Sequence, residues 1–259
     1  MKIPMYQVDA FTDKLFAGNP AAVCLLEHWI TDELMQKIAV ENALSETAFC
    51  VKNGEIFELR WFTPEYEIDL CGHATLATAY VIFEHTGYKE PVIHFQTQSG
   101  MLKVQKEGTR YSMLLPAREG IPTVPSQAVI DAVGTNPKEA YKARDLMLIF
   151  DSEQQVKDCC PDFEKLKVTG EFGVIITARG EHADFVSRYF APGCSVMEDP
   201  VTGSAHCTLV PYWSNVLGKN KLLAQQLSAR GGVLSCENLG SVVKVSGSAV
   251  LFFQTELSF

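Results

Sequence analysis

Residues 61–74 read Trp61-Phe62-Thr63-Pro64-Glu65-Tyr66-Glu67-Ile68-Asp69-Leu70-Cys71-Gly72-His73-Ala74, and the chain returns to this theme further on. Tyr189-Phe190-Ala191-Pro192 leads through Glu198 and Asp199 to Gly203-Ser204-Ala205. Each passage is aromatic-Phe-x-Pro, then an acidic loop, then Gly-polar-Ala opening an apolar helix. Gly72 and Gly203 stand 131 residues apart in a chain of 259, about half its length. Several matched features in one order point to an internal duplication. The expectation is two similar domains, each a strongly curved sheet around a central helix.

Working outward, Pro116–Ser126 holds Pro116, Pro122, Pro125 and Gly120, and marks the boundary between domains 1–116 and 117–259. Strand-like runs dominate: Ile3–Val8, Ala21–Leu26, Thr47–Lys52, Phe57–Phe62, Val92–Gln96, Leu102–Lys106 and Tyr111–Leu115 in the first half. Leu146–Phe150, Val174–Ala178, Phe185–Phe190, Leu222–Ser228, Val242–Val245 and Val250–Gln254 follow in the second. Helices are expected over Thr31–Asn42, with Thr31 as cap and Leu34, Ile38 and Ala39 on one face, and over His73–His85 and Ser204–Leu217. His73–His85 is apolar on nearly every side, as a helix enclosed by other structure must be.

A net charge of −9, with 22 Lys+Arg against 31 Asp+Glu, argues against nucleic-acid or anionic-membrane partners. No apolar run approaches the roughly 18 residues of a membrane span. The start, Met1-Lys2-Ile3-Pro4-Met5-Tyr6, alternates like a strand and lacks the apolar core of a signal peptide, so a cytoplasmic location is expected. Eight cysteines without any C-x-x-C, and six histidines without H-x-x-x-H, give no metal or redox motif, and reduced thiols are expected.

The duplicated Gly-polar-Ala helix starts leave backbone N–H groups unpaired with the positive end of the helix dipole behind them. If they face each other across a domain interface, they suit a small carboxylate, and otherwise Gly72 and Gly203 simply permit tight turns. Asp199, held extended by Pro200, is either a capping residue or a functional acid, and His73 is either a cap or an acid/base group. Glu46, in Leu44-Ser45-Glu46-Thr47-Ala48-Phe49, is by itself one glutamate between a helix and a strand. No G-x-S-x-G surrounds Ser204, and no G-x-G-x-x-G or P-loop occurs anywhere.

At these residues the sequence resembles the PhzF-like (phenazine biosynthesis isomerase-like) family. The matching stretches are Asp9-Ala10-Phe11-Thr12, Gly18-Asn19-Pro20-Ala21-Ala22-Val23, Leu44–Phe49, Arg60-Trp61-Phe62-Thr63-Pro64, Leu70-Cys71-Gly72-His73-Ala74-Thr75, Arg188-Tyr189-Phe190-Ala191-Pro192 and Glu198-Asp199-Pro200-Val201-Thr202-Gly203-Ser204-Ala205-His206. They span nearly the whole chain. The resemblance implies a diaminopimelate-epimerase-like α+β fold of two pseudo-symmetric domains, each a barrel-like curved sheet around a central helix, in which the final strand, 248–259, can return to the first domain. It also implies a homodimer and an isomerase that moves a proton on a small anionic carboxylate substrate at the interdomain cleft, with no cofactor and no metal. Glu46 would be the general acid/base, His73, Asp199 and Ser204 would bind substrate and assist proton relocation, and Asn19, Gly72 and Gly203 would line the substrate. A glutamate enclosed away from water can both take and return a proton near neutrality. Cys71 stands where the more distant epimerases carry one catalytic thiol, while Asp199-Pro200-Val201 lacks the second. Two alternatives stay open: an epimerase or racemase using Glu46 or Cys71 with Asp199, and a non-catalytic partner-binding protein.

Overall fold

Strand β1 (Lys2–Ala10) pairs antiparallel with β2 (Asn19–Leu26), and helix α1 (Asp32–Asn42) carries the chain to β3 (Glu46–Asn53), parallel to β2. β4 (Ile56–Phe62) runs back antiparallel, and the two-residue β5 (Glu67–Ile68) folds onto its end. Helix α2 (Gly72–His85) then crosses to β6 (Val92–Thr97), parallel to β4, and β7 (Gly100–Glu107) and β8 (Arg110–Pro116) follow by antiparallel pairing.

The same order recurs after β8. Short β9 (Ile121–Pro122) and helix α3 (Gln127–Val133) precede β10 (Glu139–Lys142), which pairs antiparallel with β11 (Leu146–Ile149). Helices α4 (Glu153–Asp158) and α5 (Phe163–Lys167) lead to β12 (Val174–Arg179), parallel to β11. β13 (Phe185–Phe190) is antiparallel, with two-residue β14 (Glu198–Asp199) folded onto its end. Helix α6 (His206–Leu217) crosses to β15 (Lys221–Gln226), parallel to β13, before β16 (Gly232–Asn238) and β17 (Val242–Gly247). Finally β18 (Ala249–Ser258) pairs antiparallel with β1. This computed structural model describes residues 1–259 and divides into two compact units, Met1–Leu114 with Ser246–Phe259, and Leu115–Val245. None of its helices is long and apolar enough to cross a membrane.

The duplication extends to side chains. In the first unit Arg60 forks onto Glu67 (Nε–Oε1 2.7 Å, Nη2–Oε2 2.6 Å) and lies over the Phe62 ring at 5.2 Å. In the second, Arg188 forks onto Glu198 (2.7 and 2.9 Å) and lies over Phe190 at 5.1 Å. Both clamps pin the acidic loop against the preceding strand through two charge-assisted bonds. Helix α2 is enclosed in its unit, only Tyr80, Glu84 and His85 escaping burial. Its fully buried Leu76, Val81 and Ile82 each contribute roughly 1.5–3 kcal/mol by leaving water. In α6, Pro211 cannot donate to the Cys207 carbonyl, and the Arg118 backbone N–H takes that acceptor at 2.9 Å, docking the segment after β8 onto the helix.

The structure adjusts several sequence expectations. Thr31 caps α1, accepting from the Leu34 N–H at 3.3 Å, but Met35 joins Ile38 and Ala39 on its buried face while Leu34 is half-buried. Helix α6 starts at His206 rather than Ser204. The intervening residues form a tight turn with His206 N–H to Gly203, Cys207 N–H to Ser204 and Thr208 N–H to Ala205 carbonyl bonds of 3.1 Å. Strands β10 and β16 and helices α3, α4 and α5 lack an expectation from the sequence. β10 is four residues with one buried side chain, Ala140, and the helices are each of seven residues or fewer, so periodicity has little to act on.

Candidate active site

In the first unit, Glu46 opens β3, opposite Ala21 of the parallel β2, just after Ala43 ends α1 in the left-handed conformation (φ 50°). Asn19 opens β2. It follows Gly18 at φ +67°, where a Cβ would lie 2.2 Å from the Ala10 carbonyl oxygen, so only glycine makes this turn. His73, the second residue of α2, is buried between them: its Nε2 lies 3.0 Å from Glu46 Oε2 and its Nδ1 3.1 Å from the Asn19 amide nitrogen. Cys71 Sγ lies 3.5 Å from the same Nδ1. Glu46 Oε2 and His73 Nε2 are both buried and neither has an aligned hydrogen bond, an arrangement rare outside functional sites. Burial favours the neutral His73 ring, but the neighbouring Cys71 sulfur and Glu46 carboxylate outweigh it and hold the imidazole well above the usual histidine range. Burial, reinforced by Glu46, pushes the Cys71 thiol up to about 11. The ligand-type atoms of Glu46, Cys71 and His73 lie within 4.8 Å of one another. The imidazole touches both neighbours, with Nε2 toward Glu46 and Nδ1 toward Cys71.

Strain gathers here. The non-glycine residues with positive φ are Phe11 (62°), Phe16 (67°) and Ala43, all in the segments that deliver Asn19 and Glu46. Asp9, 2% exposed, anchors the Phe11–Gly18 loop by accepting the Phe16 N–H at 3.0 Å.

In the second unit Asp199 ends β14. Its Oδ2 accepts the Thr202 hydroxyl at 2.5 Å, so its side chain bonds the loop before α6. Gln226, fully buried at the end of β15, fixes this loop. Its carbonyl accepts the Thr202 N–H at 2.8 Å and its amide donates to the Asp199 carbonyl at 2.7 Å. Ser204 Oγ accepts from Arg144 Nη2 at 3.0 Å. Arg144 in turn pairs with buried Asp145 (Nη2–Oδ2 3.0 Å), which also accepts the Tyr189 hydroxyl at 3.2 Å. A cavity of about 1000 Å³ in this unit surrounds the C-terminal half of α6 near Tyr141, Tyr212 and Gly218, and none of these polar residues lines it.

The structure thus brings Glu46, His73 and Asn19 together with Cys71, and separately ties Asp199 to Thr202 and Ser204 to Arg144. Sequence reasoning missed Arg144, Asp145 and Gln226. A signal existed for Gln226: it continues the buried alternation Leu222, Ala224 as a polar residue in an apolar phase. Arg144-Asp145 borders the apolar run Leu146–Ile149 without any motif.

Comparison with known proteins gives the family and the fold. Residues 8–255 match the family described as phenazine biosynthesis-like protein, PhzC-PhzF. An uncharacterized isomerase of Pseudomonas aeruginosa is 47% identical over 257 residues, covering 99% of each chain. A crystal structure of a PhzF-family protein from Enterococcus faecalis covers 100% of both chains at 48% identity and a TM-score of 0.95. A predicted epimerase from Pseudomonas aeruginosa shares the fold at 18% identity and a TM-score of 0.80, over 99% of each chain.

Proposed function

Because the chain belongs to the phenazine biosynthesis-like (PhzF) family, we propose that it is an isomerase that relocates a proton on a small carboxylate-bearing substrate, using its own side chains as proton donor and acceptor. The observation that carries this reading is the buried, misaligned pair of Glu46 Oε2 and His73 Nε2 at 3.0 Å. Glu46 takes a proton from one carbon of the substrate and returns a proton at another position, so the double bond shifts and no atoms are gained or lost. His73, oriented through Nδ1 by Asn19, stabilises the carboxylate form of Glu46 between these transfers. The family resemblance further assigns the substrate carboxylate to the Gly72–His73 and Gly203–Ser204 amides, with Asp199 and Ser204 assisting the transfer. A homodimer and a cytoplasmic location belong to the same proposal.

A second reading, epimerisation next to a carboxylate with Cys71 in play, is favoured by the 3.5 Å contact of its thiol with His73. Incubating the chain with a panel of small carboxylic acids in D2O and following them by proton NMR separates the readings. A shifted double bond carrying deuterium supports the isomerase, whereas label washed into an intact stereocentre supports the epimerase. Absence of exchange across a broad panel of unsaturated and stereogenic acids contradicts both.

A further inference from the structure

Gln226 is a polar side chain in the buried phase of β15, and its amide is turned wholly onto the loop that carries Asp199. Its Oε1 accepts the Thr202 N–H at 2.8 Å, and its Nε2 donates to the Asp199 carbonyl at 2.7 Å and to Thr202 Oγ1 at 3.2 Å. A backbone N–H can only donate and a backbone carbonyl can only accept, so the orientation of the amide is fixed. Just beyond β15 the Ser228 hydroxyl donates to the Pro200 carbonyl at 2.8 Å, so strand end and turn together hold residues 199–202.

The direction of the next bond follows. Thr202 Oγ1 accepts from Gln226, and its hydrogen is left to donate to Asp199 Oδ2. A hydroxyl donated into a carboxylate oxygen stabilises the ionised form. Two ionisable neighbours on β13 have other partners. Tyr189, opposite Asp199 in the strand pairing, gives its hydroxyl to Asp145 at 3.2 Å, and Arg188 forks onto Glu198 at 2.7 and 2.9 Å.

The shared architecture does not require this arrangement, as the first unit shows. Arg60 and Arg188 hold equivalent places, and counting from them through the parallel pairings sets Phe95 against Ala224 and Thr97 against Gln226. The Thr97 hydroxyl donates to the Gly100 carbonyl at 2.8 Å and serves its own hairpin rather than the loop before α2. Cys71, in the place of Thr202, has no hydroxyl to give. Burying an amide costs free energy unless its polar atoms are bonded, and at Gln226 those bonds converge on Asp199 and Thr202.

We propose that Gln226 and Thr202 are positioning residues that aim the Asp199 carboxylate and keep it ionised, so that Asp199 enters the reaction as an acceptor rather than as a donor. This rests on the reading of Asp199 as part of the active site.

The test follows the Asp199 carboxyl carbon by NMR in full chain labelled with carbon-13 at the aspartate carboxyls, the signal being identified by its loss in Asp199→Asn. Thr202→Val, nearly isosteric, should raise the titration midpoint of Asp199 by about one pH unit, the equivalent of one hydrogen bond to a charged group. Thr202→Ser, which restores the hydroxyl, should return it to the wild-type value, and Gln226→Met should raise it in the same direction as Thr202→Val. A midpoint unmoved in Thr202→Val or in Gln226→Met overturns the proposal. With an acid that the wild type labels in D2O, Gln226→Met should also lower kcat about tenfold while KM stays within a few-fold. Moved midpoints with wild-type labelling rates overturn it too, since Asp199 then lies outside the reaction. Absence of labelling by the wild type sinks the isomerase reading instead, and the midpoints alone then decide whether Gln226 and Thr202 hold Asp199 ionised.

Discussion

The two halves of this protein share a strand order down to the placement of a two-residue strand and an Arg–Glu fork, yet their polar residues do not repeat. In one unit Thr47 stands opposite Phe62, and in the other Val174 stands opposite Phe190. The residue preceding each is Glu46 in the first and Gly173 in the second. A Cβ at Gly173 would lie 2.2 Å from the Tyr189 hydroxyl and 2.8 Å from Asp145 Oδ1, so the volume given to an acid in one half is filled by a Tyr–Asp pair in the other. The converse holds on the short strands, where Asp199 opposite Tyr189 matches Ile68 opposite Trp61. By the shared Gly-polar-Ala motif, Cys71 matches Thr202 and His73 matches Ser204. Duplication kept the clamps that hold the loops, and divergence separated a half built around a carboxylate–imidazole pair from one built of hydroxyls, an amide and arginines.

Four changes break or sharpen that contrast. The largest concerns two buried histidines of opposite sign. His206 donates Nδ1–H to the Thr202 carbonyl at 2.8 Å, and burial lowers its pKa to about 4. The unfolded chain binds the extra proton near 6.5, so stability falls as pH drops from 6.5 to 4, by about 3 kcal/mol. His73 is raised instead, so its favourable contribution is full below 6.5 and fades as pH rises through its folded value. Urea unfolding at pH 7 and pH 5 should show a smaller loss in His206→Asn than in the wild type, and an equal loss contradicts the assignment. Next, Gly173→Ala should cost about 2 kcal/mol by driving a methyl into Tyr189, read as a lower urea midpoint with an unchanged slope. With an acid turned over by the wild type, Ser204→Ala should raise KM about tenfold and lower kcat a few-fold, as befits a residue that binds substrate and assists the transfer. Cys71→Ala should have the smallest effect, leaving most activity in the same assay. A loss of about 100-fold would transfer the chemistry to the thiol and favour epimerisation.

Much of this contrast was legible before any coordinates. The repeat around Trp61–Ala74 and Tyr189–Ala205 exposed the duplicated architecture because aromatic, proline and glycine positions survive where geometry demands them. Glu46, by contrast, carried no pattern of its own and became a candidate only through the family resemblance. Its proximity to His73 depends on α1, on the left-handed Ala43 and on a parallel strand pairing, none of which a local motif encodes. Arg118, Arg144 and Asp145 were invisible for a related reason: their partners, Cys207, Ser204 and Tyr189, lie tens of residues away in sequence. The start of α6 was misjudged because a tight turn and an α-helix satisfy the same Gly-Ser-Ala sequence.

The central claim, that Glu46 is the proton carrier, is tested most directly by deuterium uptake from D2O into a substrate acid, comparing the wild type with Glu46→Gln at equal folded concentration. The substitution keeps the size and the contact with His73 but removes the exchangeable carboxyl proton. The account predicts uptake slower by about 100-fold or more, with substrate affinity nearly unchanged. Uptake at the wild-type rate in Glu46→Gln would contradict it.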